Sequence, residues 1–437
     1  MAVEKSFDVG DKVIVKTKDQ IYEGLVMPSL EKAKDYLILK LKSGYNLGIK
    51  LGPDVVIKKV SEAEKVEKLG IKPPINPKLP SISIIATGGT ITSKVDYVTG
   101  AVEPLIKPEE LLLATPELLD IVNIKRLLSP FSIWSEDMTW VEWQKIANYV
   151  AEELNKEDVI GVLVTHGTDT LHYTAAALSF MLKNLNKPVA LVGGQRSSDR
   201  GSFDGAQNLI CAGHYLKSNI SEVAIVMHAT SEDDFCFAIR GTNVRKMHTS
   251  RRDTFRPINE LPLAKIWPSG KFEILNKNYK TRNEIKNEKV IADTKFEPKI
   301  ALLKYFPGAD PEILNFFVEK KYKGIIVEAT GLGHVSTNPK QPKNWLAAIK
   351  SAIEAGLFIG FVPQCIYGRL DPYVYSSGRM LLDAGVTYLG NMLAETAFVK
   401  LGWVLGHTKN IDEIKTQMTT NIAGELLDRI SPQSFLY

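Results

Sequence analysis

The chain has 437 residues, of which 44% are hydrophobic and 24% charged, with a formal net charge of +4. That composition predicts a globular protein of two or three domains, and so slight a charge gives no general case for nucleic-acid binding, leaving any RNA contact a local matter. No run approaches 18 apolar residues, and Met1-Ala-Val-Glu-Lys-Ser-Phe7 lacks the basic start and apolar core of a signal peptide, so a cytoplasmic protein without membrane contact is expected.

Phe7 to Val56 reads as a small β unit. Val13-Ile-Val15 alternates with charges, Tyr36 to Leu41 alternates again, and Ser43-Gly44-Tyr45-Asn46 supplies a hairpin turn before Leu47 to Ile49. Five short strands in about fifty residues predict an SH3-like barrel, assigned to residues 1–70. Within it Lys58 to Leu69 places Val60, Ala63, Val66 and Leu69 at three-residue spacing, predicting a short amphipathic helix closed by Gly70. Residues 71–80 carry four prolines and read as an extended linker.

Ser81 to Ala86 is a short β-branched run between Pro80 and Gly88, the pattern of a buried parallel strand. It empties into Thr87-Gly-Gly-Thr90, where glycine permits a sharp turn and close approach of a ligand. Val162-Leu-Val-Thr-His-Gly-Thr-Asp-Thr170 repeats the design before a helical run from Leu171. Two strand ends thus deliver Thr90 and Thr168. A threonine hydroxyl is a poor nucleophile until a neighbouring base takes its proton, and Asp169 could supply or orient that base.

Strand and helix alternate from Ser81 onward, predicting a doubly wound α/β domain over residues 81–275 with helices at 140–154, 171–184 and 207–216. Residues 276–295 read as a polar surface connection. A smaller α/β unit follows over 296–437, with strands near 300–305, 324–328 and 358–362. Its run Met392 to Trp403 has the spacing of a helix packed on one face. Arg240 to Arg252 crowds five Lys and Arg residues into what reads as a solvated basic loop, and spacing alone does not single out Lys246. A lysine beside like charges has its neutral form favoured and can serve as a base. Cys211, Cys236 and Cys365 are widely spaced and odd in number, so buried free thiols are expected rather than disulfides or zinc ligands. Gly331-Leu-Gly333 is too short to signal a dinucleotide, and no G-x-x-x-x-G-K-[ST] occurs.

Thr87-Gly-Gly-Thr-Ile91 and His166-Gly-Thr-Asp-Thr170 resemble the two hallmark motifs of the type I (bacterial-type) L-asparaginase family. Tyr97 with Thr99-Gly100, Ser135-Glu-Asp-Met138, Val192-Gly-Gly-Gln-Arg196, Asp204-Gly205, Asn208-Leu209, and Lys246 with Thr249 match in the same order. The resemblance covers Ser81 to the C-terminus and implies an asparaginase-like two-domain α/β fold. It also implies an amidohydrolase needing no metal or cofactor in this chain, with its sites at a homodimer interface. Thr90 would be the first nucleophile with Tyr97 its activator, and Thr168, Asp169 and Lys246 the proton-handling set; the family leaves room for the reverse order of the two threonines. Ser135 and Glu136 stand where the family holds the substrate's α-carboxylate and α-amino group, and Gly89, Gly167 and Gly194 line the same pocket. Many members have glutamine where Glu136 stands, which leaves the amide donor open. His166 is expected to be a packed turn residue.

Some eighty residues precede the first motif, and with Phe7-Asp-Val-Gly-Asp-Lys-Val13 the layout resembles the family of archaeal glutamyl-tRNA(Gln) amidotransferase D subunits. That resemblance implies ammonia release from glutamine or asparagine for a separate amidotransferase E subunit, which would use ATP and Mg to activate glutamate on tRNA(Gln). It further implies a homodimer within a heterotetramer, meeting glutamyl-tRNA(Gln) through the complex. The competing reading is a free cytoplasmic L-asparaginase with an accessory N-terminal domain.

Overall fold

The computed structural model describes residues 7–27, 35–42, 46–61, 75–95, 102–104, 110–198, 202–282, 284 and 288–437. The N-terminal unit is an antiparallel five-stranded sheet in the spatial order Asn46–Lys50, Tyr36–Leu41, Ile21–Met27, Lys12–Lys16, Val56–Ser61. Side chains alternate between the faces of a strand, and in Tyr36–Leu41 both faces are used. Leu37 and Leu39 turn into the sheet's own core with Val13, Val15, Val26 and Ile49. Ile38 joins Met27 and Ala114 against the next domain, and Lys40 Nζ donates to the Ala114 carbonyl at 2.8 Å. The sheet is therefore docked on the large domain. Val56–Ser61 is a strand, where the sequence predicted the start of a helix at Lys58. Burial there alternates with period two, Ile57 and Lys59 being partly covered and Lys58 and Val60 exposed, and its pairing satisfies the backbone of Lys12–Lys16. The rest of that predicted helix, the hairpin turn at 43–45 and linker residues 71–74 lie outside the described residues.

The second unit is an eight-stranded sheet. Five strands, Asn123–Leu128, Ser81–Ala86, Val159–Thr165, Val189–Val192 and Val223–His228, run parallel in that order. Cys236–Arg240, Ala264–Ile266 and Phe272–Ile274 continue it antiparallel. Alternate residues feed two cores. Ile85, Val162, Val164, Leu191 and Ile225 pack with the helices Trp140–Leu154 and Leu171–Met181, whereas Ile84, Leu163, Ala190 and Ala224 pack with Gly205–Leu216. Coverage of both faces is why these strands read as unbroken apolar runs. The helix beginning at Leu171 ends at Met181 rather than Asn184. Leu182–Lys183 instead pairs with Ile291–Ala292, drawn from the segment that reads as a polar connection.

The third unit is a four-stranded parallel sheet, Ile300–Lys304, Gly324–Ala329, Phe358–Pro363, Thr387–Tyr388. The helix Ala394–Leu405 differs from expectation: it is buried on nearly every side, with only Phe398 partly exposed. It sits between the helix Leu171–Met181 of the large domain and the strands Ile300–Lys304 and Gly324–Ala329, which leaves it almost no contact with water. Lys400 survives there because Glu425 pairs with it at 2.5 Å and the Thr420 carbonyl accepts from it at 2.6 Å, Lys400 and Glu425 both being fully buried. Among the described residues no helix is long and apolar enough to cross a membrane.

Candidate active site

The strands Ser81–Ala86 and Val159–Thr165 are parallel neighbours, so their loops leave the same edge of the sheet side by side. Thr87 locks them together: its N–H and its Oγ1 both donate to the Thr165 carbonyl, at 3.1 and 2.8 Å. Gly88 and Gly89 have φ of 106° and 80°, a conformation that disfavours side chains. The space forbids side chains as well. A Cβ on Gly88 would strike the Ile133 backbone, and one on Gly89 would strike the backbone of Gly167. Gly167 in turn would place a Cβ 2.8 Å from Ser135 Cβ and 2.9 Å from Ser135 Oγ, and Gly193 would place one 2.7 Å from Thr168 Cγ2. Glycine is what lets these loops converge.

Thr90 and Thr168 each stand one residue beyond the contact between Gly89 and Gly167. Thr90 opens a 3-10 turn, Thr90–Thr92, held by Thr92 and Ser93 hydroxyls donating to the Gly89 carbonyl at 3.2 and 2.7 Å. Lys246 arrives from the short strand Val244–Lys246, and its Nζ donates to Thr168 Oγ1 at 2.9 Å and to Asp169 Oδ1 at 2.6 Å. Lys246 is nearly covered, at 10% side-chain exposure, while Asp169 is 65% exposed. This hydrogen-bonded hydroxyl, amine and carboxylate is the constellation a threonine needs to exchange its proton. Ser135 is buried beside Gly167, its carbonyl accepting from Thr170 Oγ1 at 2.6 Å, and Glu136 is exposed in the same turn, Ser135–Asp137. Gly194 lies against Ile91, its would-be Cβ 3.4 Å from Ile91 Cα. Tyr97, Thr99 and Gly100 lie outside the described residues.

His166 is buried, with Nδ1 donating to the Gly167 carbonyl at 2.6 Å and Nε2 accepting from Thr174 Oγ1 at 2.8 Å. Burial pulls it down from 6.5 to about 4, so it is neutral and packed. The basic loop is corrected by the structure. Each of its five cations meets a carboxylate: Arg240 meets Glu222 and Glu260, Arg245 meets Glu395, Lys246 meets Asp169, Arg251 meets Asp253, and Arg252 meets Asp233. Asp253 is two residues from Arg251, but the other carboxylates come from elsewhere in the chain, which is why a solvated loop was the natural expectation. Cys365 is also corrected, being exposed where a buried thiol was expected; Cys211 and Cys236 are buried. Among the described residues no three His, Cys, Asp or Glu side chains are grouped as a metal site.

Two supports of the site carry no role in the sequence reading. Asp204 accepts from the N–H groups of Gln195 and Arg196 at 2.9–3.0 Å, closing the turn after Gly194. Asn208 donates to the Gly193 carbonyl at 2.9 Å and accepts from His228 Nδ1 at 2.7 Å. The signal available was an Asp directly before a helix that follows a glycine turn.

Comparison with known proteins shows the family and the fold. Residues 81–280 match the family model "Asparaginase, N-terminal", residues 299–418 "Glutaminase/Asparaginase C-terminal domain", and residues 7–60 "GatD N-terminal domain". The L-asparaginase of Thermococcus kodakarensis has a similar structure, with a TM-score of 0.70 at 27% identity over 80% of this chain and all of that one. L-asparaginase I of Vibrio cholerae gives 0.67 at 30% identity over 80% of this chain and 99% of its own. The glutamyl-tRNA(Gln) amidotransferase D subunit of Pyrococcus abyssi is 50% identical over 97% of this chain and 96% of its own, and that of Methanothermobacter thermautotrophicus 44% over 98% and 95%. With the N-terminal sheet included in that match, the chain belongs to the family of glutamyl-tRNA(Gln) amidotransferase D subunits.

Proposed function

We propose that this chain is the amide-cleaving component of a glutamyl-tRNA(Gln) amidotransferase, releasing ammonia from glutamine or asparagine for a partner subunit. The observation that carries this reading is Lys246 Nζ bonded to both Thr168 and Asp169, one residue from the point where Gly167 meets Gly89. In the proposed reaction Thr90 Oγ1, with Tyr97 as its activator, attacks the side-chain amide carbon. Ammonia leaves and an acyl-enzyme remains, which water then resolves. Thr168, Asp169 and Lys246 move the protons: when Nζ is neutral the contact reverses and the Thr168 hydroxyl donates to it. The 2.9 Å contact also favours a second order of events, in which Thr168 attacks first. Backbone N–H groups of the Gly89, Gly167 and Gly194 turns stabilise the oxyanion, worth roughly 3 kcal/mol per donor in other enzymes. Ser135 and Glu136 hold the α-carboxylate and α-ammonium, the exposed carboxylate of Glu136 favouring the ammonium.

This chain works without a cofactor of its own, while an amidotransferase E subunit carries ATP and Mg and activates glutamate on tRNA(Gln). A homodimer within a heterotetramer, meeting glutamyl-tRNA(Gln) through the complex in the cytoplasm, completes the proposal. The docked N-terminal sheet favours this over a free asparaginase. The test is ammonia release from glutamine by the full chain, with and without the partner and glutamyl-tRNA(Gln). Several-fold stimulation is expected, and high activity unmoved by either component would favour the free enzyme.

A further inference from the structure

Two consecutive cations, Arg245 and Lys246, end the short strand Val244–Lys246. Each finds its own carboxylate. Lys246 takes Asp169, while Arg245 Nη2 takes Glu395 Oε1 at 3.1 Å. Glu395 belongs to the other α/β unit, in the first turn of the helix Ala394–Leu405, and is 6% exposed. Its second oxygen, Oε2, has no hydrogen-bond partner among the described residues, and neither has Nδ1 of the buried His172, whose Nε2 lies 3.9 Å from Glu395 Oε1. Burial raises the Glu395 carboxyl above its ordinary range, with Arg245 opposing; Glu328 adds to the rise and Lys304 counters it. So costly and incompletely bonded a group calls for an explanation beyond packing, which an apolar side chain would serve better.

His172 supplies the spatial link. Its ring follows Asp169 by three residues and lies 3.9 Å from Glu395, so it stands between the pair Arg245–Glu395 and the pair Lys246–Asp169. We propose that Glu395 is a positioning residue for the proton-handling set: by holding Arg245 it keeps the second cation off Asp169, so that Asp169 stays with Lys246 and Lys246 stays on Thr168. The inference rests on the roles proposed above for Thr168, Asp169 and Lys246. A helix of one domain thereby sets the charge pairing at a site built by the other.

The test is steady-state amide hydrolysis by the full chain carrying Glu395→Gln, Arg245→Met, both together, or Glu395→Asp, with Lys246→Ala alongside and circular dichroism on each. Glu395→Gln, which keeps shape and loses charge, should lower kcat about tenfold with KM within about twofold, as expected when ground-state binding is untouched. Arg245→Met and Glu395→Asp should each stay within about threefold of the parent. The double variant should return to the level of Arg245→Met, because no freed cation remains to compete. A double variant as slow as Glu395→Gln, or a Glu395→Asp loss as large, would overturn the proposal by making shape rather than charge the cause. Unchanged kcat in Glu395→Gln would overturn it as well. Full activity in Lys246→Ala would instead sink the site assignment, whatever Glu395 does.

Discussion

Gly89 and Gly167 stand back to back, with no room for a Cβ on Gly89, and that contact holds together two loops that are 78 residues apart in sequence. Gly89→Ala should therefore cut amide hydrolysis by about a hundredfold or more, since both a strained φ of 80° and a backbone clash push Thr90 away from Thr168. Ammonia release beside an unchanged far-ultraviolet spectrum would be the readout. A folded Gly89→Ala protein of full activity would show that the two loops need not touch.

Thr90→Ala, Thr168→Ala, Asp169→Asn and Lys246→Ala should each lower kcat/KM by about a hundredfold or more without unfolding the chain, the scale of losing a nucleophile or its base. Near-normal rates in any two of them would mean that the chemistry lies elsewhere.

The buried pair Lys400 and Glu425 ties the C-terminal segment to the helix Ala394–Leu405. Removing one partner strands the other, so Lys400→Met should destabilise by about 3–5 kcal/mol. Lys400→Met with Glu425→Leu should recover part of that loss, although the Ile422 and Ala423 N–H groups, which also donate to Glu425, lose their acceptor. Urea unfolding followed by circular dichroism measures both, and a double variant no better than the single one would argue against stranded charge as the cause.

His166 and His172 are held down by burial from 6.5 to about 4 and about 3, His172 also by the nearby Arg245 and Lys246. An unfolded chain takes up protons at both positions below pH 6.5 that the native protein refuses until about pH 4 at His166 and about pH 3 at His172. The unfolded state thus binds more protons across that window, and stability falls as pH drops through it, by on the order of 3 kcal/mol per histidine. Urea midpoints between pH 7 and 4.5 should fall less steeply in His166→Asn than in the parent. Parallel slopes would remove His166 from the account.

Cys365 is exposed while Cys211 and Cys236 are buried, with burial pushing the Cys236 thiol well up. A thiol reagent should label one cysteine in the native protein and all three after denaturation, leaving glutamine hydrolysis largely intact. Inactivation in step with the labelling of Cys365 would make that residue part of the site.

Chelation with EDTA should likewise leave hydrolysis intact, since the residues proposed to act are a hydroxyl pair, an amine and a carboxylate. Activity lost in EDTA and restored by zinc would require a metal step.

Local pattern sufficed wherever one residue's neighbours in sequence are also its neighbours in space. The apolar runs Ser81 to Ala86 and Val159 to Thr165, the glycines that end them, and the hydroxyls beyond are all legible in order, because strand, turn and loop are short-range events. The first four strands of the N-terminal sheet follow from alternation and turn signals in the same way. Three of the features that did not follow share one reason, a partner distant in sequence. Lys58 to Leu69 has spacing that suits a helix, but over Lys58 to Ser61 pairing with Lys12–Lys16 decided for strand. Met392 to Trp403 shows a helix but not that two domains enclose it, since a helix cannot record in its own sequence what lies against its second face. The cations from Arg240 to Arg252 looked solvated because their carboxylates, Glu222, Asp233 and Glu395 among them, arrive from other strands, loops and domains. Sequence by itself named the side chains proposed to carry the chemistry; only the tertiary structure decided which charge faces which, because a Coulomb partner is chosen by distance in space and not along the chain.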